Sequence, residues 1–554
     1  MRFRGFLIIA VLLALALPAV CADNILINSR DWKDVYSGMQ YGFHTGVQPK
    51  FLVSEQHSTI ILSDLPVEQP LTVLNSRKNP FVVGYGSLLT GKGYTVDELE
   101  FNSLSLELAE MLSDINNYII IDDSYGYNSI AVAPYAIASK SFVLFADRNN
   151  IGEVENFLES RNPGIVLIYG HVDREVKDRL ASFNPEIINM DGDRFANNVE
   201  IVKKFMEISP TQQVILTNGE FIEQELMSGQ FPVLFIGIQN VPPKIHDYIV
   251  NSNIQVGVLI GNELVGTATT VRRDTGISTF VKFARSARQS EGPIAQVEGL
   301  DIFRLPSIDL SLSIEGITYN SLTNQLEVTF KNNVEIATYF KGTYTVISGD
   351  QQQTVGDTEP VFIDGSDTKT VVYDVDPISG DEIIARVFVI FGESKDALER
   401  TLQGEIAVKR VEVLDDTAIS IEKVVYQKSR GSFLISVENI GALDVYVDTE
   451  LHDVLVAGER QTFAAKEVIK ISPGAKKNSV VPADLAEEDF DSNPRIKVRA
   501  YYGQRENALV KILEGEFDLI ISTFDVLIYL PIIIILLLIF LILWRRKRKK
   551  KHHS

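Results

Sequence analysis

Between residues 24 and 300, short unbroken apolar runs alternate with amphipathic stretches. Three segments open alike, NILINSRDW from Asn24, YIIIDDSYG from Tyr118 and QVILTNGEF from Gln213, at spacings of 94 and 95 residues. A second apolar run follows in each: KFLVSE from Lys50, SFVLFAD from Ser141 and PVLFIGI from Pro232. A third ends on a glycine in each: PFVVGYG at Gly86, GIVLIYG at Gly170 and IQVGVLIG at Gly261. Helical periodicity then closes each segment, over 98–112, 194–208 and 276–288. Continuous apolar strands interleaved with helices predict three small α/β modules with mostly parallel, buried sheets, over 23–112, 113–208 and 209–300.

Beyond residue 300 the period changes to two. Runs such as QLEVTF, TKTVVYDV, SFLISV and IKVRAYY alternate inward and outward positions and are separated by Asn, Gly, Asp and Pro clusters. IEGITYNSLTNQLEVTFKNN from Ile314 returns as IEKVVYQKSRGSFLISVENIG from Ile421, with Tyr319 and Tyr426 107 residues apart. The pattern predicts two all-β immunoglobulin-like sandwiches, over 301–412 and 413–523.

The two ends change the picture from a soluble chain to a surface one. Arg2 and Arg4 precede an apolar run over 6–17, and Val20-Cys21-Ala22 supplies small residues before Asp23, so 1–22 reads as a secretory signal peptide. Residues 526–544 are apolar throughout and read as one transmembrane helix, and the basic run over 545–551 holds the tail, 545–554, in the cytoplasm. The expected location is the plasma membrane, single-pass, with the N-terminal ectodomain outside. Without the nine basic residues of those ends, 23–525 carries about −30, which argues against nucleic acid as a partner. The single cysteine, Cys21, falls in the signal peptide, so the domains must hold without disulfides.

The middle module carries a resemblance. YNSIAVAPYAIASKSFVLFAD, GIVLIYGHVDREVKDRLASF and INMDGDRFANNVEIVKKF resemble the cell-wall-binding repeat 2 family, with Gly192, Asp193, Arg194 and Phe195 matching its Gly-Asp-Arg-Tyr segment and Gly170 the second of its paired glycines. Asn128 stands where that family has Asp, and Tyr169 replaces the first glycine of the pair. The resemblance covers about 118–205. It implies three modules packed on the cell exterior, joining a surface protein to a wall or envelope polymer. VENIGALDVYV and ISPGAKKNSVV are similar to the CARDB type of adhesion-related sandwich, and a tandem of such domains next to the membrane reads as a stalk rather than as binding domains.

Candidate chemistry is sparse. GYGSLLTGKGYT, at 84–95, approaches a phosphate-binding loop, but Gly93 stands where the magnesium-binding hydroxyl belongs, and the repeat aligns Gly86 with Gly170 and Gly261 as a strand-ending glycine. No nucleotide or other cofactor is expected. Asp193 and Arg194 read as a helix cap and ion pair or as a ligand contact. Asp122 and Asp123 end a predicted strand, where open α/β sheets place their sites, although Asn28 and Thr217-Asn218 occupy the equivalent places. No catalytic motif is present, and the five ectodomain histidines share no metal-ligand spacing. Arg272 and Arg273 precede a predicted helix from about Ile277, along one side of which Lys282, Arg285 and Arg288 recur, and the five read as ion pairs with a neighbouring module or as a docking patch for an anionic polymer or lipid headgroup. The sequence therefore leads to a non-enzymatic surface protein whose modules bind or scaffold an envelope component or surface-layer protein. A tethered hydrolase and a surface-layer subunit are the rivals.

Overall fold

The computed structural model describes residues 24–63, 65–282, 301–380 and 382–522. The signal peptide, the span over 526–544, the basic tail, and Arg285 and Arg288 lie outside them. Among the described residues no helix is long and apolar enough to cross a membrane. The chain divides into two compact units, Met1–Ile308 and Asp309–Ser554.

The first unit holds three four-stranded parallel sheets of one topology. Strands β1 (Asn24–Asn28), β2 (Pro49–Phe51), β3 (Leu71–Ser76) and β4 (Val96–Phe101) lie in the order β2-β1-β3-β4. The second sheet, from β5 (Asn117–Ile121), β6 (Ser141–Phe145), β7 (Ile165–Tyr169) and β8 (Glu186–Ile188), has the order β6-β5-β7-β8. In the third, β9 (Gln213–Thr217) is followed by a two-residue strand β10 (Phe221–Ile222), then β11 (Val233–Phe235), β12 (Val256–Ile260) and β13 (Ser278–Lys282), with the order β11-β9-β12-β13. Leu26, Ile120 and Leu216 at the middle of the central strands are fully buried, as helix-covered parallel sheets require.

Three expectations need correction. The third strand of the first module is LTVLNS, not the run ending at Gly86: Thr72 and Asn75 interrupt its apolar character, whereas Val83 in the apparent strand is exposed. The backbone N–H groups of Phe81 and Val82 are taken by the buried Asn28 side chain, at 2.9 and 3.1 Å, instead of by a strand. Arg77, not Gly86, is thus the counterpart of Gly170 and Gly261, which do leave their strands at positive φ, 76° and 135°. Secondly, β4 takes the start of the predicted 98–112 helix, which runs only over Leu104–Met111, while Arg194–Ile208 is helical as expected. Thirdly, there is no helix from Ile277. A left-handed Gly276, φ 77°, caps the helix Thr267–Thr275, and the β-branched and aromatic residues after it form β13.

The second unit begins with β15 (Leu312–Asn320), which follows a short strand β14 (Phe303–Arg304) belonging to the first unit. Then come β16 (Gln325–Asn332), β17 (Thr338–Ser348), β18 (Gln351–Gly356), β19 (Val361–Ile363), β20 (Thr368–Asp374), β21 (Ile384–Gly392) and β22 (Arg400–Val411). Their order is β18-β17-β21-β22-β15-β16-β20, with β19 on β17. The sheet curls through β22, whose residues 400–407 pair antiparallel with β21 and whose last four pair parallel with β15. The rings of Phe330 and Phe340, on non-adjacent strands, then meet at 4.1 Å in the interior.

The same topology returns in β23 (Ile419–Gln427), β24 (Ser432–Asn439), β25 (Val445–Val456), β26 (Glu459–Ala464), β27 (Ile469–Ile471), β28 (Lys476–Pro482), β29 (Arg495–Gly503) and β30 (Lys511–Ser522). A buried asparagine recurs with it. Asn332 donates to Ile336 O and Asp364 O, and Asn439 to Leu443 O and Ile471 O, so one amide satisfies carbonyls of two separate segments in each domain.

Candidate functional site

In open parallel sheets, ligands bind outside the carboxyl ends of the strands, where the strand order reverses. Each sheet of the first unit has such a point after its first strand. The first helices of the modules, Trp32–Thr45, Tyr127–Ala138 and Gln224–Met227, touch one another pairwise, so the modules close on one another.

Side chains from one module complete the edge strand of the next. Gln40 Oε1 accepts from the N–H of Val143 on β6 at 3.0 Å, and the His44 ring lies 3.0 Å from Ser141 O on the same strand. Asn198, fully buried on the helix Arg194–Ile208, accepts from Phe235 N–H at 2.8 Å and donates to Val233 O at 2.9 Å, both on β11. Edge strands carry unpaired backbone groups, and these amides satisfy them where water cannot reach. Tyr36 adds a bond from its hydroxyl to Ser129 O, 2.8 Å.

Across the strand ends runs residues 301–308, which we call the strap. Asp301 Oδ1 lies 2.7 Å from Nε2 of the buried His57. His57 Nδ1 accepts from Val53 N–H at 3.3 Å, so Nε2 carries the proton and donates to Asp301. Phe303 stands edge-on to Phe51 and Phe81 of the first module, at 6.2 and 6.4 Å. Strand β14 pairs antiparallel with β10 of the third, and Leu305 N–H donates to Glu220 O at 2.9 Å. Gly126 of the second module donates its N–H to Pro306 O, also at 2.9 Å, and passes so close to Leu305 that an added Cβ would stand 2.3 Å from the leucine Cβ. Eight residues thus tie all three modules at the end where such folds usually hold ligands.

The predicted site residues fall around this closure. Asn28 uses its amide to hold the 81–82 turn. Asp123 pairs with Lys33 at 2.6 Å; burial alone would lower the Lys33 ammonium, but Asp123, Asp31 and Asp147 together raise it. Asp122 accepts from Ser124 N–H at 2.7 Å, and Asn218 from Glu220 N–H at 3.3 Å, both as turn-formers, while Thr217 O accepts from Ile236 N–H. Asp193 caps its helix through Phe195 N–H and Ala196 N–H, and Arg194 lies buried over the rings of Tyr127 and Phe195 at 5.1 and 4.9 Å. Among the described residues no group of three or more His, Cys, Asp or Glu side chains could hold a metal ion.

The glycine-rich stretch is a helix, Tyr85–Gly91, ending at Lys92. A phosphate loop needs free amides ahead of a helix. Here Gly86 N–H, at the helix start, already donates to the carboxylate of Glu98 at 3.2 Å.

The basic cluster is divided. Arg272 and Arg273 are exposed in the last turn of Thr267–Thr275, and Arg273 pairs with Asp274 at 2.8 Å. Lys282 lies on β13 instead, 3.2 Å from the buried Glu223 and 2.7 Å from Glu225. Burial pushes the Glu223 carboxyl up and Lys282 pulls it back. Since Glu223 also caps Gln224–Met227, Lys282 serves the interior.

Sequence reasoning missed one further cluster, in the second unit. Lys369 on β20 is buried against Asp448 and Glu450 of β25, in direct contact with Glu450 and 4.0 Å from Asp448 Oδ2, with its ammonium 3.8 Å above the Tyr501 ring. Beside it Nη2 of Arg505 donates to both carboxylate oxygens of Glu327, at 3.0 and 2.9 Å. The inward position of Lys369 in TKTVVYDV was the available signal.

No family model and no curated relative matches the chain. Among solved structures it is similar to Cwp8 from Clostridium difficile, at 14% identity over 46% of this chain and 48% of that one, with a TM-score of 0.37. It is also similar to the periplasmic chaperone SfaE, at 11% identity over 39% of this chain and 100% of that one, TM-score 0.14. The ligand binding region of serine-glutamate repeat protein A of Enterococcus faecium matches at 10% identity over 19% and 97%, TM-score 0.14. The chain spans about half the length of Cwp8.

Proposed function

We propose that this chain is a single-pass surface protein whose three α/β modules bind or scaffold a cell-envelope component, carried on two immunoglobulin-like domains that act as a stalk. The observation that carries this reading is the strap. Leu305, Phe303 and Asp301 occupy the strand ends of all three modules, so recognition falls to the outer surface. The amides that interlock the modules serve a rigid platform in the same way. Reading 1–22 as a leader and 526–544 as an anchor puts the platform outside the plasma membrane.

The exposed Arg272 and Arg273, continued by Arg285 and Arg288 in sequence, supply guanidinium groups for phosphate or carboxylate on an anionic envelope polymer. Lys282 is excluded from that role by its carboxylate partners. The chain ending at residue 523 should sediment with isolated envelopes, and retention should fall as salt rises. Reversing Arg272, Arg273, Arg285 and Arg288 to Glu should abolish sedimentation with the melting temperature unchanged. Retention that survives the reversal would remove the patch from the reading; a parent protein that never sediments would remove the envelope-binding function itself.

A further inference from the structure

The geometry points to an intramolecular amide cross-link between Lys369 Nζ and Asp448 Cγ, formed with Glu450 as proton acceptor, which would staple the first β-domain to the second.

Three ionisable side chains meet where water is excluded. The Lys369 and Asp448 side chains are 3% and 6% exposed and Glu450 is fully buried. Asp448 and Glu450, two apart on β25, share one face of the strand and address Lys369 from the same side. The site belongs to the junction and not to the repeated domain. Lys369 faces Phe330 across its ladder as Lys477 faces Val437 in the second domain, yet Lys477 is exposed.

The carboxylates are differentiated as amide formation requires. Burial pushes Asp448 up to about 7, against the pull of Lys369, so near neutral pH a substantial share of it is the protonated acid, which can lose hydroxyl as water. Burial alone would raise Glu450, but Lys369 and His452, whose Nε2 lies 2.9 Å from its second oxygen, together hold it below its ordinary value, and so it remains a carboxylate able to accept a proton. Asp364 and Asp367 add negative charge nearby, and Tyr501 and Lys369 complete the facing groups.

In the step, Glu450 takes one proton from the Lys369 ammonium through their existing hydrogen bond. The freed nitrogen pair attacks Cγ of protonated Asp448, the carbon–nitrogen bond forms, and the carbon–hydroxyl bond breaks. The hydroxyl leaves with a second nitrogen proton as water, one proton stays on the amide nitrogen, and Glu450 keeps the proton it took. No oxidant or other reactant is needed. The product replaces a buried ion pair, whose charges are costly to desolvate, with a neutral amide. A chain whose one cysteine is Cys21 has no intramolecular disulfide to do this work.

The test is a tryptic peptide map of the denatured full chain. Amidated Lys369 resists trypsin, so residues 342–386 should appear joined to 431–460 in one branched peptide, lighter than the two by one water, with fragmentation placing the branch at Asp448. Lys369→Ala should lose this peptide, and Glu450→Gln should form it ~100-fold more slowly. Separate peptides from the parent protein would overturn the proposal, leaving a buried ion pair only, and this result does not depend on any variant folding. A branch at Glu450, or formation in Glu450→Gln at the parent rate, would overturn the assigned roles.

Discussion

Asn198→Ala is expected to destabilise the first unit by about 3 kcal/mol, more than its loss of side-chain area would suggest. The substitution leaves Val233 O and Phe235 N–H on a buried edge strand without their partner, and each unsatisfied buried group costs roughly 1–3 kcal/mol. Asn198→Asp should be nearly as damaging, because a carboxylate can accept from Phe235 N–H but cannot donate to Val233 O. Calorimetry should show the transition of this unit lowered by roughly 5–10 °C, with the β-domains unaffected. A change within 1 kcal/mol, about the effect of a surface substitution, would mean that water reaches β11 and that the modules are not interlocked there.

Gly126→Ala is the second. Its φ of −76° is one that alanine adopts freely, so backbone strain plays no part. What the methyl meets is Leu305 Cβ at 2.3 Å, a position close to the main chain that no rotamer change can clear. The strap has to shift, at a cost of about 1–3 kcal/mol, with the Gly126 to Pro306 hydrogen bond lost. Proteolysis within 301–308, absent in the parent, should appear. Leu305→Gly in the same chain removes the clashing atom and should restore much of the resistance. Equal proteolysis rates for parent and Gly126→Ala would show that the strap does not seat as described.

The repeated α/β strands were legible because buried parallel strands are short and apolar throughout, as in YIII and QVIL. Strand β3 was hidden by Thr72 and Asn75, and β8 by its half-exposed position at a sheet edge. Residues 276–288 misled because apolar residues at helical spacing also fit a short edge strand, and Gly276 decided between them. The closure itself left no local trace. Gln40 and Asn198 look like solvent-facing helix positions, and nothing in GLDIFRLPSIDL announces contact with residues as distant as His57. Such polar side chains acquire meaning only from a strand edge brought by another module. The same holds for Asp448 and Glu450, which alternation alone would leave as ordinary acids of a β-strand.

Hydrogen exchange at the Leu305 amide, followed with and without saturating isolated envelopes, tests the platform reading most directly. That N–H is bonded to Glu220 O beneath a packed side chain, so its exchange reports opening of the strap and little else. Slow exchange of equal rate in both conditions, with envelope-induced protection confined to outer surfaces, is the predicted result. Faster exchange at Leu305 when envelope material binds would contradict it, because a ligand would then be displacing the strap and entering the strand ends.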